Sequence, residues 1–170
     1  MQIRQAQKTD FPAIYELVKT AFETAKVSDG TEQDFVLALR QRPAYLPALE
    51  LVAEDADGAL TGHIMLSRQE IPGAESALRA LMLAPLSVAL PHRRQGLGGR
   101  LIQAAADGAA AEGYNAIFLI GDSAYYSRYG FVSAVEQGYR NASGVPDQYL
   151  QVRFLAPYRP QQPGGTVDLH

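Results

Sequence analysis

The chain contains no cysteine, and only Lys8, Lys19 and Lys26 are lysines among its 15 basic residues. The first absence excludes disulfides, thiolate metal sites and cysteine nucleophiles together. No apolar run approaches the ~18 residues that span a membrane. The opening "MQIRQAQKTDF" is polar and does not read as a signal peptide. A cytoplasmic protein with no membrane partner is therefore expected. Basic excess is missing too: the net charge is −3 and the pI about 5.6. That argues against a nucleic-acid partner, since such proteins carry a basic surface. What is present is ordinary for a soluble globular chain: 170 residues, 47% hydrophobic and 19% charged. This is enough for one domain around one core.

Hydrophobic spacing places the elements. Residues 2–4 read as a short strand. Thr9 or Asp10 can cap a helix with Pro12 in its first turn, and Ile14, Leu17, Val18, Ala21 and Phe22 recur at helical spacing. Thr31 with Asp34 resembles a capping box for a second helix, with Phe35, Ala38 and Leu39 as its apolar face. Asp57-Gly58, between two alternating runs, is a hairpin signal. "LRALMLAPLSVAL" reads as a strand interrupted by Pro85, which cannot donate to a ladder and so marks an edge or bulge. A helix over 98–112, a buried strand over 115–120, a short helix over 123–129 ended by Gly130, and strands from Phe131 and over 149–156 follow. From Pro157 the composition is turn-rich, and a loose end is expected. The order β-α-α-β-β-β-α-β-α-β-β implies an α/β fold with a mixed sheet.

The segment "LPHRRQGLGGRL", 90–101, joins a strand to a helix through three glycines. A helix N-terminus offers unpaired N–H groups and roughly half a positive charge, and glycines let a phosphate approach that backbone. Arg93 and Arg94 add charge. The glycines alone fit a ligand-free turn equally well. A Walker A loop is excluded, because Gly99 leads to Arg100 and Leu101 rather than Lys-Ser/Thr. A dinucleotide fingerprint lacks its third small residue at Leu101, although Asp122 lies at a suitable distance. The pattern Arg/Gln-x-x-Gly-x-Gly/Ala is met by Arg93, Gly96 and Gly98.

With that motif the sequence resembles the GNAT superfamily of acetyl-CoA-dependent N-acetyltransferases. The resemblance runs from about Leu81 to Val132. It includes "LSVALPHRRQGLGGRLI" and "GDSAYYSRYGF", the latter like a bacterial branch of acetyltransferases. It implies an acyl-CoA N-acyltransferase fold: a mixed central sheet of six to seven strands, helices on both faces and a splayed strand pair. One domain over 1–170 is expected, with N-terminal helices and hairpin in 1–80, an acetyl-CoA-binding core in 81–132 and C-terminal strands in 133–170. The resemblance gives Pro85 a meaning, as the bulge where a strand splays and pantetheine enters against Leu86, Ser87 and Val88. It assigns the pyrophosphate to Arg93, Arg94, Gln95, Gly96, Leu97, Gly98 and Gly99, and the thiol end to Asp122, Ser123 and Tyr126. Tyr126 stands where the family keeps its general acid. The implied partners are acetyl-CoA and an unidentified amine, and a homodimer is compatible with the family.

The chemistry sets requirements. A lysine amine with pKa ~10.4 costs about 4.6 kcal/mol to neutralise at pH 7, an α-amino group only about 1–1.4. A phenol can protonate the leaving thiolate. No general base is legible: the strand before the bulge carries no glutamate, and Glu23, Asp29, Glu50, Glu54 and Asp55 read as solvated surface charges. His63 and His92 lack neighbouring ligands, so no metal site is expected. A serine hydrolase has no Gly-x-Ser-x-Gly support. The rival readings are a non-catalytic acyl-CoA-binding or sensing module and an NAD(P)-binding oxidoreductase.

Overall fold

A computed structural model describes residues 1–25 and 28–169. Strand β1 (Gln2–Gln5) leads into helices α1 (Phe11–Phe22) and α2 (Glu32–Arg40), then β2 (Tyr45–Glu54), β3 (Leu60–Gln69) and β4 (Ala80–Val88). Helix α3 (Leu97–Ala111), β5 (Ala116–Ile120) and the short α4 (Ser123–Tyr126) follow. Strands β6 (Val132–Ser133), β7 (Arg140–Asn141), β8 (Leu150–Phe154) and β9 (Thr166–Val167) complete the chain. The main sheet has seven strands in the order β1-β2-β3-β4-β5-β8-β6, and β7 pairs with β9 in a second, small sheet. This is the expected mixed α/β sheet, with the β4–β5 pair parallel and the β1–β2, β2–β3 and β5–β8 pairs antiparallel.

The chain forms two compact units. The first comprises Met1–Ser67 and Ala84–Gly108. Ile14, Leu17, Val18 and Ala21 of α1 are buried at the expected spacing. Asp10 precedes α1 but does not cap it. Its carboxylate takes two hydrogen bonds from Arg4, at 2.7 and 2.9 Å, and one from the Gln7 N–H. The Thr31–Asp34 capping box does not form either: the Thr31 hydroxyl donates to Asp29 and the Asp34 carboxylate accepts from Tyr15. The buried face of α2 is Gln33, Val36 and Leu39, whereas Ala38 is exposed and Phe35 half-buried. The hairpin turn is as expected: Asp55 accepts from the Asp57 and Ala59 N–H groups, and Gly58 takes φ +82°.

The second unit comprises Arg68–Leu83 and the chain from Ala109 onward. In it β4 pairs with β5 from Ala80–Ala116 to Met82–Phe118, and the ladder ends there, ahead of Pro85. This is the strand divergence anticipated at Pro85. Phe118, Phe131, Leu150 and Val152 form the core. The turn-rich C-terminal segment is held, not loose. The Glu75 carboxylate accepts from the Tyr158 hydroxyl and from the Gln161 and Gln162 N–H groups. Thr166 and Val167 pair with Arg140 and Asn141, and Val167 and Leu169 are buried. Gly165 has no room for a side chain: a Cβ would stand 2.9 Å from the Ala74 nitrogen at φ +125°.

Candidate active site

The glycine segment lies in the first unit, between β4 and α3. After a 3-10 turn over Leu90–His92, Arg93 is extended, Arg94 takes φ +61° and Gly96 φ +79°. Arg94 is the only non-glycine at positive φ among the described residues. The Arg100 N–H donates to the Gly96 carbonyl at 3.1 Å, which fixes the start of the helix. The N–H groups of Leu97, Gly98 and Gly99 thus belong to a first turn without intrahelical acceptors. A Cβ on Gly96 would meet nothing within 4 Å, so its surroundings are open, and its positive φ is what calls for glycine. Arg94, Gln95 and Gly96 are exposed, Leu97 and Gly98 buried, and Gly99 half-buried. Geometry and polarity suit an anion.

The two arginines have different tasks. Arg93 turns inward: its Nε donates to the Val88 carbonyl at 3.1 Å, Nη1 to the Thr24 hydroxyl at 2.9 Å and Nη2 to the Ala21 carbonyl at 2.6 Å. It therefore satisfies a carbonyl in the last turn of α1 and braces the cradle. The sequence suggested phosphate charge at this side chain; the structure shows its donors bound to protein. Arg93→Ala should lower stability by about 1–3 kcal/mol through the orphaned carbonyls and raise the KM for acetyl-CoA several-fold. Thermal unfolding and steady-state kinetics check both. Ahead of the cradle, Leu86 and Val88 are half-buried and Ser87 is buried.

In the second unit, "GDSAYYSRYGF" has a local physical logic. Gly121 is required because a Cβ there would lie 2.5 Å from Cε2 of the Tyr126 ring. The Asp122 carboxylate caps α4 by accepting the Ala124 N–H at 2.9 Å. Gly130 ends the following 3-10 turn at φ +87°. Tyr125 stacks edge-on against Tyr129 at 5.3 Å, sharing the face inferred from the sequence. Tyr126 packs instead against Tyr125 at 4.9 Å and Phe131 at 5.7 Å. Burial, with Tyr125 beside it, pushes the Tyr126 hydroxyl well above the ordinary phenol range. It stays protonated throughout neutral pH. Asp122 and Ser123 are exposed at the start of α4.

One cluster escaped the sequence reading. Glu50 is 0% exposed, not a surface charge. Its carboxylate accepts from Arg40 Nη2 at 2.6 Å, the Tyr45 hydroxyl at 2.6 Å and His63 Nε2 at 3.0 Å. The Phe11 ring lies 3.6 Å below the Arg40 guanidinium. Burial alone would raise the Glu50 pKa, but the bonds from His63, Arg40 and Tyr45 outweigh it and hold the carboxyl at about 2. Burial lowers the His63 pKa, and the bond to Glu50 offsets this only in part, so the imidazole is neutral. Val52 pairs with His63 across β2 and β3, and Glu50 stands two residues from Val52 on the same face. Glu54 forms an ion pair with Arg4 at 3.1 Å. No group of three or more His, Asp or Glu residues among those described could hold a metal ion, and no described helix could cross a membrane.

A parallel strand pair that ends before a proline, followed by a glycine cradle opening a helix, defines an acyl-CoA N-acyltransferase architecture. The Acetyltransferase (GNAT) domain family matches residues 2–134, and the chain belongs to that family as an N-acetyltransferase. The uncharacterized N-acetyltransferase YhbS of Escherichia coli K12 is 31% identical over 173 residues, spanning 100% of this chain and 96% of the relative. YjhQ of the same strain is 32% identical over 143 residues, 84% of this chain and 76% of the relative. The crystal structure of E. coli YhbS in complex with CoA aligns with a TM-score of 0.87, covering 99% of this chain and 89% of that one. A GNAT acetyltransferase from Brucella melitensis in complex with acetyl-CoA aligns at 0.79 with 31% identity, covering 99% and 95%.

Proposed function

We propose that the chain moves an acetyl group from acetyl-CoA directly to a primary amine of a small molecule or peptide, acting as one functional domain. The observation that carries this reading is the open cradle at Gly96, where a helix N-terminus and a positive-φ backbone present N–H groups to an anion. Two relatives of 31% identity hold CoA and acetyl-CoA, which supports the same ligand here. Residues 93–99 take the pyrophosphate through backbone amides, with Arg94 supplying charge and Arg93 holding the loop in shape. Leu86, Ser87 and Val88 run beside the pantetheine, and backbone N–H groups on the side of β4 away from β3 polarise the thioester carbonyl as an oxyanion hole does. Asp122 and Ser123 hold the thiol end through the start of α4, and Tyr126 protonates the leaving thiolate. We place it in a bacterial cytoplasm, in line with the bacterial sources of its relatives. A homodimer is the working oligomeric state.

The test is a thermal-shift comparison of acetyl-CoA with NAD(P), followed by CoA release over a panel of primary amines and peptides. Stabilisation by acetyl-CoA and CoA release with an amine are expected. Stabilisation without release on any amine would make the protein a binding module. A shift with NAD(P) alone would overturn the cradle assignment.

A further inference from the structure

Among the described residues of the first unit, four buried side-chain atoms lack a hydrogen-bond partner: Oε2 of Glu32 on α2 and, in the sheet, Nδ1 of His63, Oγ of Ser87 and Oγ of Ser67. An orphaned buried polar atom costs about 1–3 kcal/mol, so each calls for a reason. Ser67 lies four residues beyond His63 on β3, ~13 Å at strand rise, which is out of reach. Ser87 is different. Strands β3 and β4 are neighbours in the sheet. The Ala89 N–H donates to the Thr61 carbonyl at 2.9 Å, and a Cβ on Gly62 would sit 3.4 Å from the Ser87 carbonyl. As one strand ascends the other descends. Counting two residues along each from the Thr61–Ala89 bond sets His63 opposite Ser87. Opposite residues share a face, with Cβ atoms ~5 Å apart. The two orphans therefore face each other, at 0% and 2% exposure.

Their chemistry is complementary. The ionised Glu50 carboxylate is acceptor-only and takes a hydrogen bond from His63 Nε2, so the ring proton sits on Nε2 and Nδ1 offers a lone pair. Ser87 has a hydroxyl proton to give. A turn about its χ1, or one bridging water, joins the two. The charged and titratable groups that meet this network are Arg40 from α2 and Glu50 and Tyr45 from β2. Arg40 and burial keep the imidazole neutral, and therefore ready to accept.

We propose that Ser87 and His63, backed by Glu50, form a proton relay for acetyl transfer. Ser87 takes the proton at the reacting centre, and His63 is a positioning residue that acts through it. The relay rests on the acetyltransfer reading, with the thioester lying along Leu86–Val88. The neutral amine nitrogen bonds to the thioester carbon as the carbonyl π pair moves to oxygen, and the ammonium of the resulting tetrahedral adduct is far more acidic than the free one. Its N–H bond breaks toward Ser87 Oγ as the Ser87 proton passes to His63 Nδ1. The imidazolium is held by Glu50. The oxyanion then re-forms the C=O bond as the C–S bond breaks, and the sulfur takes a separate proton from Tyr126. After release, solvent removes the proton from His63 and restores the one on Tyr126.

Ser87→Ala, Ser87→Thr and His63→Gln test the relay, with acetyl-CoA and n-butylamine as substrates. Ser87→Ala and His63→Gln should each lower kcat about 100-fold with the KM for acetyl-CoA unchanged, and Ser87→Thr should retain most of the activity. Wild-type kcat in Ser87→Ala would overturn the relay. A second arm needs no turnover. The chain has only three histidines, so His63→Gln assigns the His63 nitrogen resonances in ¹⁵N-labelled protein. The Nδ1 signal should lie at a hydrogen-bonded position in the wild type and move to that of an unbonded imine nitrogen in Ser87→Ala. Identical Nδ1 signals in the two proteins would sink the idea even if n-butylamine proves not to be a substrate. Absence of any acetyl-CoA shift or CoA release in the wild type would instead refute the acetyltransfer reading.

Discussion

Tyr126→Phe lowers kcat by about 100-fold or more and leaves the KM for acetyl-CoA and the melting temperature nearly unchanged. General acid catalysis typically contributes 10²–10⁴-fold, and the substitution removes only the hydroxyl proposed as the proton donor. The ring stays. Its packing against Tyr125 and Phe131, and over Gly121, is made by carbon atoms that phenylalanine keeps. The pH profile adds a second signature. Because burial holds the Tyr126 hydroxyl above the ordinary phenol range, it keeps its proton where a solvated phenol would lose it. The wild type should therefore show no alkaline loss of kcat through the ordinary phenol range near pH 10. If Tyr126→Phe keeps wild-type kcat, the tyrosine is a packing residue and the thiolate leaves with a proton from solvent. Replacement by alanine would be uninformative, since it also removes the ring that seats against Gly121.

Glu50→Gln is the most destabilising substitution expected outside the apolar core. Arg40 has a side chain 5% exposed, and Glu50 is its buried counter-charge. Removing one partner of a buried pair costs about 3–5 kcal/mol, because the remaining charge is left without compensation. At about 2–4 °C per kcal/mol for a chain of this size, the melting temperature should fall by roughly 6–20 °C. Pairing Glu50→Leu with Arg40→Met should recover much of the loss, since an apolar replacement leaves no charge behind. Acid tests the same pair in the wild type. The folded Glu50 pKa, about 2, lies below its unfolded value near 4.3, so its contribution is complete above pH ~4.3 and lost as pH falls toward 2. His63 acts in the same direction. Its folded pKa is depressed, so the unfolded chain binds its proton first and stability begins to decline below pH ~6.5. A urea melt series from pH 7 to 3 should show this slope in the wild type and a shallower one below pH 4.3 in Glu50→Gln. Equal slopes, or a melting temperature within 2 °C of wild type, would remove the pair from any role in stability.

What could be read in the sequence was what depends on backbone and near neighbours. Gly96 and Gly130 were legible because positive φ has a residue signature. Helix α1 was legible because one face repeats at 3.6 residues, and the Asp57-Gly58 turn because few dipeptides fit it. Tyr126 was found through its fixed distance from Gly130 and Phe131. What stayed hidden was made by register. Glu50 and His63 are 13 residues apart and meet only because β2 and β3 pair Val52 with His63. Glu50 shares a parity with Glu54, and nothing in "ELVAE" says that one is sealed while the other meets Arg4 at the edge. The Arg93 brace was hidden for a similar reason. Its acceptors lie 72 and 69 residues away, in and just after α1, so a motif arginine looked like a phosphate ligand. In α2 Leu39 is buried as expected, but Val36 and Gln33, which donates to the Gly30 carbonyl, complete the face in place of Phe35 and Ala38. Strand β9 was unreadable because two residues between prolines, glycines and a short end carry no period.

The clasp at Glu75 bears on how the chain is made. Tyr158 reaches Glu75 across 83 residues of sequence, and Gln69 reaches the Asp168 carbonyl across 99. The Thr166 N–H closes on Pro72, and Arg140 donates to Gly165. Three distant stretches of the second unit thus meet fully only when residue 168 is available. Ribosomes add about 5–20 residues per second, and long-range pairing is slow to form. In the segment after β3, Arg79 meets Asn115 only 36 residues on, but Glu75 must wait 83 residues for Tyr158. The first unit is made of residues up to Gly108, and it can begin to order before those partners are made. The second completes itself only once residue 168 has been added.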